Sequence, residues 1–175
     1  MNKIALIGNQ CSGKTTISRF LQNKNKKFVI LSFANYVKKI AKELFNMKEK
    51  DRKLLQQIGT KMREINVDCF LNYTIKESKK HKFVLVDDCR YLNELMALKK
   101  AGFKIIKINI DKDLQEKRLK NLYPKTFKEH LQNSEHQSET EMKTIPIKFY
   151  DLIITTKNDK SIFDKIEKFV LNNTN

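Results

Sequence analysis

Long apolar runs are missing from this chain. None of its 175 residues belongs to a stretch approaching the ~20 apolar residues that cross a bilayer, which sets a membrane-spanning role aside. The N-terminus opens directly into a strand-like pattern, with no leader expected before it. Cysteine is scarce as well. Cys11, Cys69 and Cys89 are odd in number and widely spaced, which argues against a disulfide framework and offers no metal-ligand spacing. A reducing, cytoplasmic setting is the expectation. Glycine and arginine are also few: four glycines, and five arginines among 36 basic residues. The formal charge of +16 is of the size that accompanies nucleic-acid binding. The excess, however, is lysine, spread along the whole chain and accompanied by abundant asparagine. Lys, Asn and Ile have A/T-rich codons, whereas Arg and Gly mostly do not. Coding bias therefore accounts for the charge, and a nucleic-acid groove is the disfavoured reading. Against this background each arginine is informative, because its planar fork grips phosphate bidentately.

What is present is concentrated near the amino end. Residues 4–15 read Ile-Ala-Leu-Ile-Gly-Asn-Gln-Cys-Ser-Gly-Lys-Thr. This is G-x-x-x-x-G-K-[ST], with an apolar strand before it and the helical pattern Thr15-Thr16-Ile17-Ser18-Arg19-Phe20-Leu21 after it. In that setting Gly8 and Gly13 are expected to permit backbone turns that gather the N–H groups of residues from Gly8, Asn9, Gln10, Cys11 and Ser12 to Gly13 around one point. Together with the helix N-terminus these form a cradle for phosphate. Lys14 is placed to reach the β- and γ-phosphates, the Thr15 hydroxyl to ligate Mg²⁺, and Thr16 to complete the cradle. ATP and Mg²⁺ are the implied cofactors.

The rest of the chain alternates apolar runs with helical periods. Strands are predicted at Lys27–Ser32, Phe83–Val86, Phe103–Ile110 and Asp151–Thr155. Helices are predicted at Asn35–Met47, from a cap at Asp51 through Met62, and at Val67–Lys79. Three more follow at Tyr91–Lys100 closing at Gly102, at Asp113–Leu122, and at Ser161–Leu171. Five strands interleaved with helices predict an α/β fold of three layers, a parallel sheet covered on both faces. One domain spanning 1–175 is expected, with a helical region at 33–80 and a lid at about 118–148. The run Tyr123–Lys148 is polar, carries both prolines and has no sustained period; so long a connection is usually functional. In a P-loop fold a second acidic residue ends a neighbouring strand and serves the metal. Asp87 and Asp88 both have this placement, and spacing alone does not choose between them. Chain length argues against motors and helicases, and no guanine-reading Asn-Lys-x-Asp follows a strand. A small phosphoryl-transfer kinase fits.

Short matches in order then resemble the bacteriophage-type deoxynucleoside monophosphate kinases. Phe33-Ala34 with Lys38, Leu54-Leu55-Gln56 with Gly59-Thr60 and Arg63, Asp88-Cys89-Arg90 with Asn93-Glu94, and His136-Gln137-Ser138-Glu139 carry the resemblance, over roughly residues 4 to 155. Lys61, Phe70 and Ser134 depart from the family pattern. The resemblance implies a sheet of order 2-3-1-4-5 and transfer of the γ-phosphoryl of ATP to a (deoxy)nucleoside monophosphate. It implies that Arg63 and Arg90 hold the acceptor phosphate, the alternative being salt bridges to Glu64 or Glu94. Arg118 either closes over the transferring group or is an exposed cation among Lys117 and Lys120. Phe33, Ala34, Lys38, Gly59, Thr60, Asp88, Asn93, Glu94, His136 and Glu139 are the further acceptor candidates. Phe33 has a core alternative, and Glu94 the alternative of a helix first turn. The expected partners are small nucleotides; a homodimer stays open. The rival readings are a kinase of dephospho-coenzyme A or phosphomevalonate type, and a nucleic-acid-directed kinase or binding protein.

Overall fold

The computed structural model describes residues 2–127, 144–157 and 161–172. Five strands form one parallel sheet: β1 (Asn2–Ile7), β2 (Val29–Ile30), β3 (Phe83–Cys89), β4 (Lys104–Ile110) and β5 (Leu152–Thr156). Their order is β2-β3-β1-β4-β5, as expected. The described helices are α1 (Lys14–Lys24), α2 (Phe33–Phe45), α3 (Arg52–Ile65), α4 (Cys69–Ser78), α5 (Leu92–Lys100), α6 (Lys112–Leu122) and α7 (Ser161–Asn172).

Strand β1 is buried along its whole length, which is why it occupies the centre. Its side chains alternate between two cores. Ile4 and Leu6 pack with Ile17 and Leu21 of α1, Ile106 and Ile108 of β4, and Ile162 and Ile166 of α7. Ala5 and Ile7 pack on the other side with Phe33 and Val37 of α2, Ile58 of α3, Phe70 of α4, and Leu95 and Leu98 of α5. Each buried Ile or Leu is worth about 1.5–3 kcal/mol relative to exposure, against about 0.5–1.5 kcal/mol for a net hydrogen bond. Apolar alternation therefore sets the register, since a one-residue slip would exchange the two cores.

Caps end the helices where the sequence places them. The Asp51 carboxylate accepts the Leu54 N–H at 3.0 Å to start α3. Gly102, at φ 85°, closes α5 in the left-handed region, donating its N–H to the Lys99 carbonyl.

Two strands differ from expectation. β2 covers two residues, where Lys27–Ser32 was predicted. Asn25 takes the preceding backbone into a turn, its side chain accepting the Lys27 N–H, while Ser32 turns out of the sheet to meet Asp88. β3 runs past its predicted end at Val86 and takes Asp87 and Asp88 into the strand. Its pairing with β1 slips there: Ala5 faces Val86, but Ile7 faces Cys89, so β3 carries one extra residue where the two aspartates lie. Such irregularities re-aim side chains at the ends of strands.

Asp88 is consumed by the fold. Its carboxylate accepts the Ser32 hydroxyl at 2.7 Å, the Phe33 N–H at 3.0 Å and the Ala34 N–H at 2.8 Å. It thus satisfies the orphan donors at the start of α2 from another element. Asp88→Ala leaves these donors unpaired. The expected cost is about 2 kcal/mol, within the range for bonds to a charged acceptor, read as a shift in the urea midpoint. A loss below about 0.5 kcal/mol, the scale of an ordinary surface substitution, would show that α2 does not lean on this carboxylate.

Candidate active site

β1 leaves the sheet between β3 and β4, and the chain turns back into α1 through residues 8–13. Gly8 is buried at the turn. A Cβ there would stand 2.3 Å from the Ile108 carbonyl oxygen and 2.9 Å from Ser12 Oγ. Contact, and not backbone angle, requires this glycine: the expectation of a special φ holds for Gly13, at φ 101°, but not for Gly8. The second left-handed residue of the loop is Cys11, at φ 62°. Gly13 caps α1, whose first turn, Lys14-Thr15-Thr16, holds no acidic residue. Thr15 and Thr16 are exposed there. An uncompensated helix N-terminus is a ready anion site. Ser12 is fully buried, and among the described residues its hydroxyl has no hydrogen-bond partner.

The loop is strapped from outside. Gln115 Nε2 donates to the Gln10 carbonyl at 2.9 Å, Arg118 Nη1 to that of Cys11 at 3.0 Å, and Thr156 Oγ1 to that of Ser12 at 2.7 Å. Lys14 Nζ lies over the loop, donating to the carbonyls of Gly8 at 2.5 Å and Asn9 at 2.8 Å. Arg118 is therefore half-buried against the phosphate cradle and does not belong to the exposed Lys117–Lys120 stripe. Gln115 and Thr156 hold the loop without having been singled out in the sequence. Nothing local marks them, since their partners lie 105 and 144 residues away.

The two aspartates separate. With Asp88 engaged by α2, Asp87 is the one left beside the loop, within the electrostatic reach of Lys14 and Lys38. Burial, then the Asp88 charge, push its carboxyl above the ordinary range; its own backbone and the two lysines pull the other way. Asp87 and the Thr15 hydroxyl are hard oxygen donors suited to Mg²⁺. A crowded, partly desolvated carboxylate gains from a cation. Among the described residues no three His, Cys, Asp or Glu side chains converge, so a cation here would draw most of its shell from phosphate and water, as Mg²⁺ does.

The acceptor candidates divide. Phe33 is in the core, so the core alternative holds for it, while the Ala34 N–H is committed to Asp88. Glu94 is buried and accepts the N–H groups of Arg90 at 2.8 Å and Tyr91 at 3.1 Å; its carboxylate starts α5 and does not point to solvent as a ligand contact would. Burial is the main cause of its raised pKa. Exposed Asn93 donates to Asp68 at 2.9 Å. Arg63 donates to the Gly59 carbonyl at 3.1 Å and lies 5.1 Å from the Phe70 ring centre, so α3 and α4 hold its fork in place. Lys38, Thr60 and Arg90 are exposed. Tyr36 and Tyr73 meet edge to face at 4.8 Å beside this region. His136, Glu139 and most of the expected lid lie outside the described residues; of 118–148, residues 118–122 belong to α6 and Ile147–Phe149 form a 3₁₀ turn.

A parallel sheet of this order with a phosphate loop between the central strand and the first helix is the fold of the P-loop kinases. In sequence, the chain is 26% identical to "Putative deoxynucleotide monophosphate kinase" of Acanthamoeba polyphaga mimivirus, over 91% of this chain and 89% of that protein. No protein-family model matches it. Among solved structures it is similar to a shikimate kinase from Acinetobacter baumannii in complex with shikimate, with TM-score 0.63, 16% identity and 99% and 95% of the two chains covered. It is also similar to a dephospho-CoA kinase from Campylobacter jejuni, with TM-score 0.54, 18% identity and 99% of each chain covered.

Two outcomes follow from the geometry. Gly8→Ala forces a backbone clash with β4, and overpacking of this kind costs about 1–3 kcal/mol; the variant melts lower and binds ATP at least tenfold more weakly. Wild-type melting and affinity would remove the close approach from the account. For Asp87, a carboxyl raised in the folded state binds its proton more readily there, so folding stability is full below the ordinary carboxylate range and lost as pH rises through the raised value. Asp87→Asn escapes that loss. Without metal it melts above wild type at pH 8, and the gap closes toward pH 4. A variant that melts lower than wild type at pH 8 would contradict this.

Proposed function

We propose that this protein transfers the γ-phosphoryl group of ATP to the 5′-phosphate of a deoxynucleoside monophosphate. The carrying observation is the strapped loop at the end of β1, with Lys14 upon it and Asp87 at the end of the adjacent strand. The similarity to the mimivirus protein, named for that activity, supports the acceptor class.

Phosphoryl transfer needs two phosphates in line and cations on the developing charge, with little covalent chemistry from the protein. Loop N–H groups and the α1 N-terminus bind the donor's β-phosphate. Lys14 exchanges its carbonyl partners for phosphate oxygens. Asp87 and Thr15 would hold Mg²⁺, which neutralises phosphate charge when bound. Arg118 stands at the loop edge, where its guanidinium can spread over the transferring group. On the acceptor side, Arg90 is exposed and available to a phosphate. Arg63, already braced, presents the rest of its fork from α3. Lys38 adds positive charge within electrostatic reach of Asp87.

The test is incubation with ATP, Mg²⁺ and each common monophosphate in turn, reading diphosphate formation, with dephospho-coenzyme A, shikimate and a 5′-hydroxyl oligonucleotide as comparison acceptors. At least one deoxynucleoside monophosphate yields its diphosphate, and the comparison acceptors do not. Transfer only to a comparison acceptor would overturn the acceptor class. Lys14→Ala lowers kcat by a factor on the order of 10²–10³, the usual loss when one preorganised charge on the transition state is removed. Near-wild-type turnover would take the loop out of catalysis.

A further inference from the structure

Three consecutive carbonyl oxygens of the phosphate loop are held by side chains from remote parts of the chain. Gln115 and Arg118, neighbours on one face of α6, take those of Gln10 and Cys11; Thr156, at the last position of β5, takes that of Ser12. A trans peptide is planar, with its N–H opposite its C=O. Fixing these three oxygens therefore fixes the directions of the Cys11, Ser12 and Gly13 N–H groups. The Ser12 N–H is turned back to the Asn9 carbonyl at 3.2 Å, which tightens the bend.

The loop has reason to need this. Cys11 is left-handed without being glycine, a conformation that L residues keep only where the surroundings over-determine it. Its two flanking peptide planes are the ones that Gln115 and Arg118 hold. Thr156 is 5% exposed and its hydroxyl is committed to the loop, so it acts on a ligand through Ser12 and not by contact.

We propose that Gln115 and Thr156 are positioning residues of the triphosphate site, which hold the loop's N–H groups in their phosphate-binding directions before the nucleotide arrives. This rests on the phosphoryl-transfer reading above. Preorganised donors are the main source of electrostatic catalysis, because no reorganisation is needed when charge develops. Losing the straps lets the loop relax, and the cost falls on the donor nucleotide held by the loop, not on the acceptor, whose candidate residues lie in α2, α3 and α5 and at the end of β3.

The experiment compares wild type with Thr156→Val, Thr156→Ser and Gln115→Met, measuring equilibrium ATP affinity, acceptor KM and melting temperature. Valine keeps the shape of threonine and removes the donor; serine keeps the donor. Thr156→Val weakens ATP binding about fivefold to tenfold, the scale of one buried hydrogen bond. Thr156→Ser restores affinity to within about twofold on the same scale, and acceptor KM is unchanged in both. Gln115→Met shows the same donor-side loss independently, and decides the matter should Thr156→Val fail to fold. ATP affinity unchanged in Thr156→Val, or serine as impaired as valine, overturns the proposal. So does an equal loss of donor and acceptor affinity. A wild-type protein that binds no triphosphate overturns the phosphoryl-transfer reading itself, and that result is read before any variant is compared.

Discussion

The Ile108 carbonyl fills the space where a Cβ of residue 8 would stand, so only glycine fits at the exit of β1. That contact presses the exit of the central strand against its neighbour, and the remaining geometry of the site follows from it. Because β1 is flanked by β3 and β4, a chain leaving it at Gly8 emerges between two other strand ends. β3 delivers Asp87 to one side of the bend. β4, through α6, delivers Gln115 and Arg118 to the other, and β5 brings Thr156 beneath it. In an open parallel sheet, ligands bind at the carboxyl ends of the strands where the order reverses. Here that place is the loop, and the buried apolar alternation of β1 holds it there.

Charge is divided around this point with some economy. Two adjacent carboxylates would repel across the end of β3, yet each has a different task. Asp88 faces the start of α2, where three donors stabilise its charge and the fold gains a cap supplied from another element. Asp87 faces the loop, where burial first and the Asp88 charge second raise its pKa, and Lys14 and Lys38 compensate in part. Burial and the neighbouring carboxylate make its charged form the costlier one in this fold. The extra residue of β3 at this position is the backbone device that lets the strand end serve both purposes.

The readable parts of the sequence were those whose partners lie close by. The phosphate loop is a contiguous pattern between a strand and a helix, and both its place and its neighbours were legible. The helix starts at Asp51 and the stop at Gly102 were legible for the same reason. Runs of Ile, Leu and Val identified the long strands, and the P-loop pattern with the family resemblance ordered them. What was not legible depended on the fold having closed. Asp88 is set apart from Asp87 by Ser32, Phe33 and Ala34, more than fifty residues earlier, which engage its carboxylate. Arg118 sits in a run of cations that left a site role and a solvated face equally open, and only the packing of α6 turns it onto Cys11. Glu94 and Phe33 matched a family pattern and lie in the region expected, but one carboxylate is used by its own helix and one ring by the core. β2 reads as six residues and pairs over two, because a turn before it and a cap after it take the remaining backbone.

In the proposed reaction the loop at residues 8–16 receives the triphosphate tail. Backbone amide NMR of the intact chain, titrated with Mg·ATP, examines this directly. The largest shifts are expected at Gly8 through Thr16, with smaller ones at Asp87, Gln115 and Thr156. Shifts confined to another surface, such as the groove between β5 and α7, or no shifts at millimolar nucleotide, would contradict it.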